Sequence, residues 1–211
     1  MKLINNDCFK ALEEINDKSI DYVLTSPPYN RKRNDKYTDY NDNIDDYFSF
    51  LVNITDILLQ KTKKHIFMNI QANYYNRVDV YKYIGHYADK IQNIIIWEKT
   101  NPTPAAGNSI TNSYEYIIVL GDFSLKSNTT YTKNHVTTNV CKNEYHKVHK
   151  AVMNEEISDW IIEKFTQEGE LILDPFMGTG TTGASCKKYN RKFIGIEKSE
   201  EYYKIATNRL S

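Results

Sequence analysis

Neither sign of charge predominates in this chain: Lys plus Arg and Asp plus Glu each number 27 of its 211 residues. Without a bulk basic field, a protein cannot hold a polyanion through its overall potential, so any nucleic-acid contact has to come from local patches. Cysteine is scarce too, and Cys8, Cys141 and Cys186 show no paired spacing. This argues against a disulfide framework or a cysteine metal site and fits a reducing, cytoplasmic setting. Long apolar runs are also missing. None approaches the ~18 residues of a membrane span, and Met1 to Asp7 show no apolar run after a basic start, as a secretory leader would. Neither secretion nor a membrane partner is expected, and no cluster of His, Cys or carboxylates has the spacing of a catalytic metal site.

What is present is an ordinary globular composition, 40% hydrophobic and 26% charged, in a chain long enough for one core. Residues 1–211 are therefore read as a single domain. Short β-branched runs alternate with amphipathic stretches, the pattern of a parallel α/β sheet. Strands are predicted at Lys2 to Asn6, Asp21 to Thr25, His65 to Ile70, Asn93 to Glu98, Glu115 to Leu120, Leu171 to Asp174 and Lys192 to Glu197. Helical spacing marks Phe9 to Ile15, Ile44 to Leu59, Val78 to Ile91, Ile157 to Phe165, Thr181 to Lys188 and Glu200 to Leu210. The expected architecture is a mostly parallel seven-stranded sheet with helices on both faces and a hairpin around Glu115 to Leu120. Residues 30–43 and 122–150 lack periodicity and are expected to be functional loops.

The first chemical motif is Ser26-Pro27-Pro28-Tyr29, which directly follows an apolar strand. Prolines cannot extend a ladder and have a fixed φ, so they carry the chain off the sheet's carboxyl edge in a rigid shape. That edge is where open α/β folds bind ligands. The turn offers the Ser26 hydroxyl and the Pro27 carbonyl as acceptors, with the Tyr29 ring as a stacking plane. These suit an aromatic amine, whose lone pair is delocalised until two acceptors hold its hydrogens. Tyr29 could stack on a base taken out of a duplex, although a Pro-Pro pair could also serve merely to end a strand.

The second motif runs from Asp174-Pro175-Phe176 through Gly178, Gly180, Thr181 and Thr182: a strand, a tight glycine turn and a helix start. The next strand ends in Glu197, placed to accept hydrogen bonds from ribose hydroxyls. Gly183 does not complete a dinucleotide fingerprint, and no basic residue in the turn meets a pyrophosphate, so an adenosyl ligand without phosphates fits better. Asp174 is either a turn cap or a group near the cofactor's amine. Asp7 is either a cap for the first helix or a cofactor contact.

The order Ser-Pro-Pro-Tyr, then Asp-Pro-Phe-x-Gly-x-Gly-Thr-Thr, resembles the amino-methyltransferases of DNA in their permuted, beta-class arrangement, and the resemblance spans nearly the whole chain. Trp97-Glu98-Lys99-Thr100-Asn101-Pro102-Thr103-Pro104 and Ser113-Tyr114-Glu115-Tyr116 are similar to further segments of that family. Asn6-Asp7-Cys8 matches its adenine-side segment, and His149 to Asn154 its His-Pro-x-x-x-Pro element, with Lys150 and Asn154 in place of the prolines. The resemblance implies a Rossmann-like methyltransferase domain that uses S-adenosylmethionine. Asp7, Cys8, Asp174, Pro175, Phe176, Gly178, Gly180, Thr181, Thr182 and Glu197 would line the cofactor site, and Ser26 to Tyr29 would form the catalytic loop. Direct methyl transfer to a base amino group follows, on double-stranded DNA with the target base flipped out; dimerisation is frequent in the family. A cytosine-C5 route would need a cysteine after a proline, and none is present.

Family members with Ser before the prolines mostly modify cytosine N4, which favours N4 over adenine N6. DNA contacts are expected from Arg31, Lys32 and Arg33 and from Lys133, Lys142 and Lys147, with target recognition in 122–150. Two alternatives remain. One is methylation of an RNA base or a protein glutamine, against which the motif order argues. The other is a catalytically inactive DNA-binding partner subunit, against which the intact motifs argue.

Overall fold

The computed structural model describes residues 1–31, 43–139 and 153–211. Fourteen elements follow one another: β1 (Lys2–Asn5), α1 (Cys8–Glu13), β2 (Ile20–Thr25), α2 (Tyr47–Lys61), β3 (Thr62–Ile70), α3 (Arg77–His86), β4 (Ile91–Lys99), β5 (Tyr114–Gly121), β6 (His135–Thr138), α4 (Glu155–Phe165), β7 (Leu171–Asp174), α5 (Thr181–Lys188), β8 (Lys192–Glu197) and α6 (Glu200–Leu210). The strands form one sheet in the order β1-β8-β7-β2-β3-β5-β4-β6. Among the described strands only β5 runs against its neighbours, β3 and β4; the other pairs are parallel. The expected hairpin is therefore β4–β5.

The sheet has eight strands among the described residues, one more than expected. The addition, β6, lies inside the stretch expected to be irregular. It is a four-residue edge strand whose His135 and Thr137 are exposed, so it carries too little apolar alternation to be recognised. The expected α3 also ends early, at His86, because Ile91 opens β4 instead of closing a helix.

Alternation along the strands divides the core between two faces. Val23, Ile66, Met68, Ile118 and Leu120 point to one side, where α1, α2 and α3 cover them with Leu12, Leu51, Leu58 and Tyr83. Tyr22, Leu24, Phe67, Ile117 and Val119 point to the other, under α4, α5 and α6, which supply Ile161, Cys186 and Ala206. Asp7, Asp46, Asn154 and Ser199 cap the starts of α1, α2, α4 and α6 by accepting backbone N–H bonds. No helix among the described residues is long and apolar enough to cross a membrane.

β2 and β7 are neighbours, yet the chain leaves β2 toward α2 on one face and β7 toward α5 on the other. That divergence is a topological switch point, and it opens the carboxyl edge of the sheet between the two motif loops.

Candidate functional site

The loop after β2 is held from several sides. Tyr47 OH donates to Pro28 O (2.7 Å), while Asn73 and Asn76 donate through Nδ2 to Tyr29 O (3.0 and 2.7 Å). Asn30 adopts a left-handed φ of 50° and closes the loop onto Ile44, accepting from Ile44 N and donating to Ile44 O.

Tyr29 points inward and is only 7% exposed. Its hydroxyl meets Ser26 Oγ (2.7 Å), Asn69 Nδ2 (2.6 Å) and Glu115 Oε2 (2.9 Å). Glu115 also accepts from Asn69 Nδ2 and pairs with the Lys99 ammonium. Burial and the neighbouring Glu115 charge push the Tyr29 phenol well above its ordinary range. The Arg31 guanidinium lies 5.3 Å from the ring centroid. It therefore covers part of the face expected to stack on a base, and Arg31 also donates to Gln71 Oε1.

Asn69, Lys99 and Glu115 had no site role in the sequence reading. A signal existed: Asn69 and Glu115 are lone polar residues inside apolar strands, and both are buried.

Across the switch point, Asp174 is buried and serves as an internal clasp. Its Oδ1 accepts from Thr25 Oγ1 (2.7 Å) and Phe176 N (3.1 Å), and its Oδ2 from Thr182 Oγ1 (2.8 Å). Burial raises its pKa to about 6 despite these donors. The capping alternative describes these bonds better than direct ligand contact does, with the addition that Asp174 ties β2 to α5.

The glycine turn that follows needs its glycines. Gly180 has φ +84°, and a Cβ there would lie 3.2 Å from Ala206 Cβ and Leu210 Cδ1. Gly178 N donates to Glu197 Oε2 and Ser199 N to Oε1, both at 2.8 Å, which fixes the carboxylate across the end of β8. Burial raises the pKa of Glu197. A carboxylate has about four acceptor sites, so capacity remains for a pair of ribose hydroxyls.

Asp7 caps α1 through Phe9 N (3.0 Å) and faces Lys198 Nζ at 3.5 Å. It sits where β1 ends beside β8, with Asn6 N donating to Glu197 O. Burial pushes the neighbouring Cys8 thiol up to about 12, so it packs rather than reacts. The ends of β1, β8, β7 and β2 thus bring Asp7, Glu197, Pro175 to Thr182 and Ser26 to Tyr29 to one edge, where the acceptors and the glycine turn fit an adenosyl group.

The basic candidates divide. Arg31 stands at this edge. Lys133 precedes β6, and because β6 runs parallel to β4, Lys133 lies at the opposite, amino edge, away from the loop. Residues around Asn128 are likewise anchored to the end of α4, with Asn128 Nδ2 donating to Glu163 O and Thr166 O. Lys32, Arg33, Lys142 and Lys147 lie outside the described residues, as do Cys141, His149 and Lys150.

Asn154, which replaces a family proline, has φ −66°, the value a proline would impose. Its side chain caps α4 and also donates to Thr138 Oγ1 and Asn139 O. Thr138 Oγ1 in turn accepts from Trp97 Nε1, so β4, β6 and α4 are joined. Trp97 is in the core; Trp160 packs half-buried at its margin.

A family model described as DNA methylase, of the N6 and N4 type, matches residues 20–208. The Type II methyltransferase M.MwoI of Methanothermobacter wolfeii is 32% identical over 99% of this chain, which spans only 34% of that protein's length. M2.LlaDCHI, a Type II methyltransferase of Lactococcus lactis subsp. cremoris, is 29% identical over 99% of this chain and 88% of its own. Among solved structures, the cytosine-N4-specific PvuII DNA methyltransferase superposes with a TM-score of 0.83 at 17% identity, over 99% of this chain and 86% of its own. M1.HpyAVI, solved as a complex with S-adenosylmethionine, superposes with a TM-score of 0.74 at 21% identity, over 100% and 98% of the two chains.

Proposed function

The chain belongs to the N6 and N4 DNA methylase family, and from that premise we propose that it transfers a methyl group from S-adenosylmethionine to an exocyclic amino group of DNA, with N4 of cytosine as the target. The single observation that carries the reading is the convergence of Ser26-Pro27-Pro28-Tyr29 and the Asp174 to Thr182 turn on one sheet edge, clasped together by the Thr25–Asp174–Thr182 hydrogen bonds. Ser26, in place of an aspartate, carries the choice of cytosine.

Glu197 would hold the ribose hydroxyls, the Gly178 to Gly180 turn would give the cofactor close access to the backbone, and the neighbourhood of Asp7 would lie against the adenine. S-adenosylmethionine supplies the electrophilic methyl group. Ser26 Oγ and Pro27 O accept the two amino hydrogens, drawing the nitrogen toward a tetrahedral shape with its lone pair freed for attack. With the cofactor bound, the amino nitrogen would take the methyl group from its sulfonium sulfur, S-adenosylhomocysteine would be the other product, and one amino proton would pass to water. The substrate is double-stranded DNA with the target base turned out of the stack, because an amino group stacked inside a duplex is out of reach of a loop at this edge. Arg31, at the same edge, is the described basic residue best placed to meet the backbone or the base.

The test is to express the chain in a host lacking its own methylation and to sequence the DNA by a method that separates N4-methylcytosine from N6-methyladenine. N4-methylcytosine in a short recurrent sequence is expected. N6-methyladenine alone would overturn the choice of base and keep the enzyme class, whereas unmodified DNA would point to a DNA-binding partner subunit.

A further inference from the structure

The polar cluster behind Ser26 admits only one consistent arrangement of hydrogens. Glu115 is buried, takes the Lys99 ammonium on Oε1, and meets both Asn69 Nδ2 (2.5 Å) and Tyr29 OH (2.9 Å) on Oε2. A carboxylate can only accept, so the single phenolic proton of Tyr29 is directed at Glu115. With that proton committed, the Tyr29 oxygen acts only as an acceptor toward its other neighbours, Asn69 Nδ2 at 2.6 Å and Ser26 Oγ at 2.7 Å. Ser26 must therefore donate to Tyr29. Its proton is turned into the protein, and only lone pairs are left to face the cleft.

The Asn69 amide cannot be turned over, because its oxygen would then meet the Glu115 carboxylate. As placed, Asn69 Oδ1 is buried with no hydrogen-bond partner among the described residues. Buried polar atoms without a partner are few in folded proteins, and this one borders Glu115 and the Tyr29 hydroxyl.

We propose that Lys99, Glu115 and Asn69 act through the Tyr29 hydroxyl as positioning residues that hold Ser26 as a pure hydrogen-bond acceptor for the target amino group. A serine hydroxyl left to rotate would spend part of its time aiming its own proton at the incoming N–H. An aspartate at the same place has no such proton, and a serine needs the relay. The Tyr29 hydroxyl thus acquires a role separate from any stacking by its ring. The inference rests on the amino-methylation proposed above.

A double-mutant cycle tests it, using the full chain, labelled S-adenosylmethionine and unmethylated genomic DNA. Tyr29→Phe keeps the buried ring and removes the relay. It should lower kcat about 10- to 100-fold and leave the KM for S-adenosylmethionine within about twofold. In a Ser26→Ala background there is no hydroxyl to orient, so the same substitution should cost less than about twofold. Equal costs in both backgrounds, or a parallel loss of cofactor affinity, would reduce the cluster to scaffolding and overturn the inference. An inert wild type would overturn both this and the proposed function, while an active wild type with additive costs would overturn this alone.

Discussion

The two halves of the carboxyl edge are built by different means. On the β1–β8–β7 side, backbone groups do most of the positioning: a left-handed Gly180, the Gly178 and Ser199 amides on Glu197, and the Phe9 amide on Asp7. On the β2–β3–β5–β4 side, the geometry comes from side chains far apart in sequence, with Tyr29 meeting Asn69 and Glu115 across three strands. A cofactor that is the same in every turnover can be met by a local backbone shape. An amino group that must be rehybridised needs acceptors whose lone pairs are aimed, and aiming them takes a network.

The sharpest way to break that comparison is Tyr29→Ala, which removes both ring and hydroxyl from the side-chain half. Methyl transfer should fall by at least about 100-fold, and calorimetry should find cofactor affinity within about twofold of wild type. Equal loss of both would mean that the halves are one site. The converse is Gly180→Val. A β-branched residue at φ +84°, with its Cβ 3.2 Å from Ala206 and Leu210, is strained by about 1–3 kcal/mol and crowds α6. Cofactor affinity should drop about 10- to 100-fold, and an unchanged affinity would remove the turn from the cofactor site. Glu197→Gln should act more mildly. It retains one acceptor oxygen and should weaken cofactor binding about tenfold, roughly 1.4 kcal/mol, with the rate at saturating cofactor little changed.

The same contrast decides what could be read from the sequence. Strands β7 and β8 and helices α5 and α6 match their expected bounds residue for residue, because each joins a strong local period to a glycine or serine boundary. The two motif loops were legible for the same reason. Lys99 was visible only as a letter in a segment similar to a family, and Glu115 only as a lone polar residue in an apolar strand, since their meaning depends on β5 running antiparallel between β3 and β4. That placement lies outside any window of sequence. β6 escaped because it is polar and pairs only at the sheet's edge. Lys133 was grouped with other lysines by composition, and the direction of β6 carries it to the far edge. The missing proline at Asn154 changed nothing in the backbone, because φ −66° is kept and the side chain contributes bonds that a proline could not make.

Asp174 joins the two halves, and its ionisation gives the smallest effect on catalysis expected here, read instead in stability. Its three donors reduce, but do not cancel, the cost of burying the carboxylate, which holds the pKa at about 6 against an ordinary 3.8. The folded state therefore binds this proton more tightly than the unfolded state does. The stabilising contribution is complete below pH 3.8, declines as pH rises, and is lost above about 6. The interval corresponds to at most about 3 kcal/mol. Asp174→Asn removes that titration while keeping the shape. Its amide oxygen can still accept from Thr25 and Phe176 N. Thr182 Oγ1 can turn to accept from the new N–H and donate to Leu24 O, 3.5 Å away. Relative to wild type, the variant should therefore gain stability between pH 4 and pH 7, by up to about 3 kcal/mol in denaturant unfolding, with kcat within a few-fold. A stability difference that stays flat across this range would mean that the clasp holds Asp174 as a fully compensated carboxylate, and that the link between the two halves is electrostatically neutral.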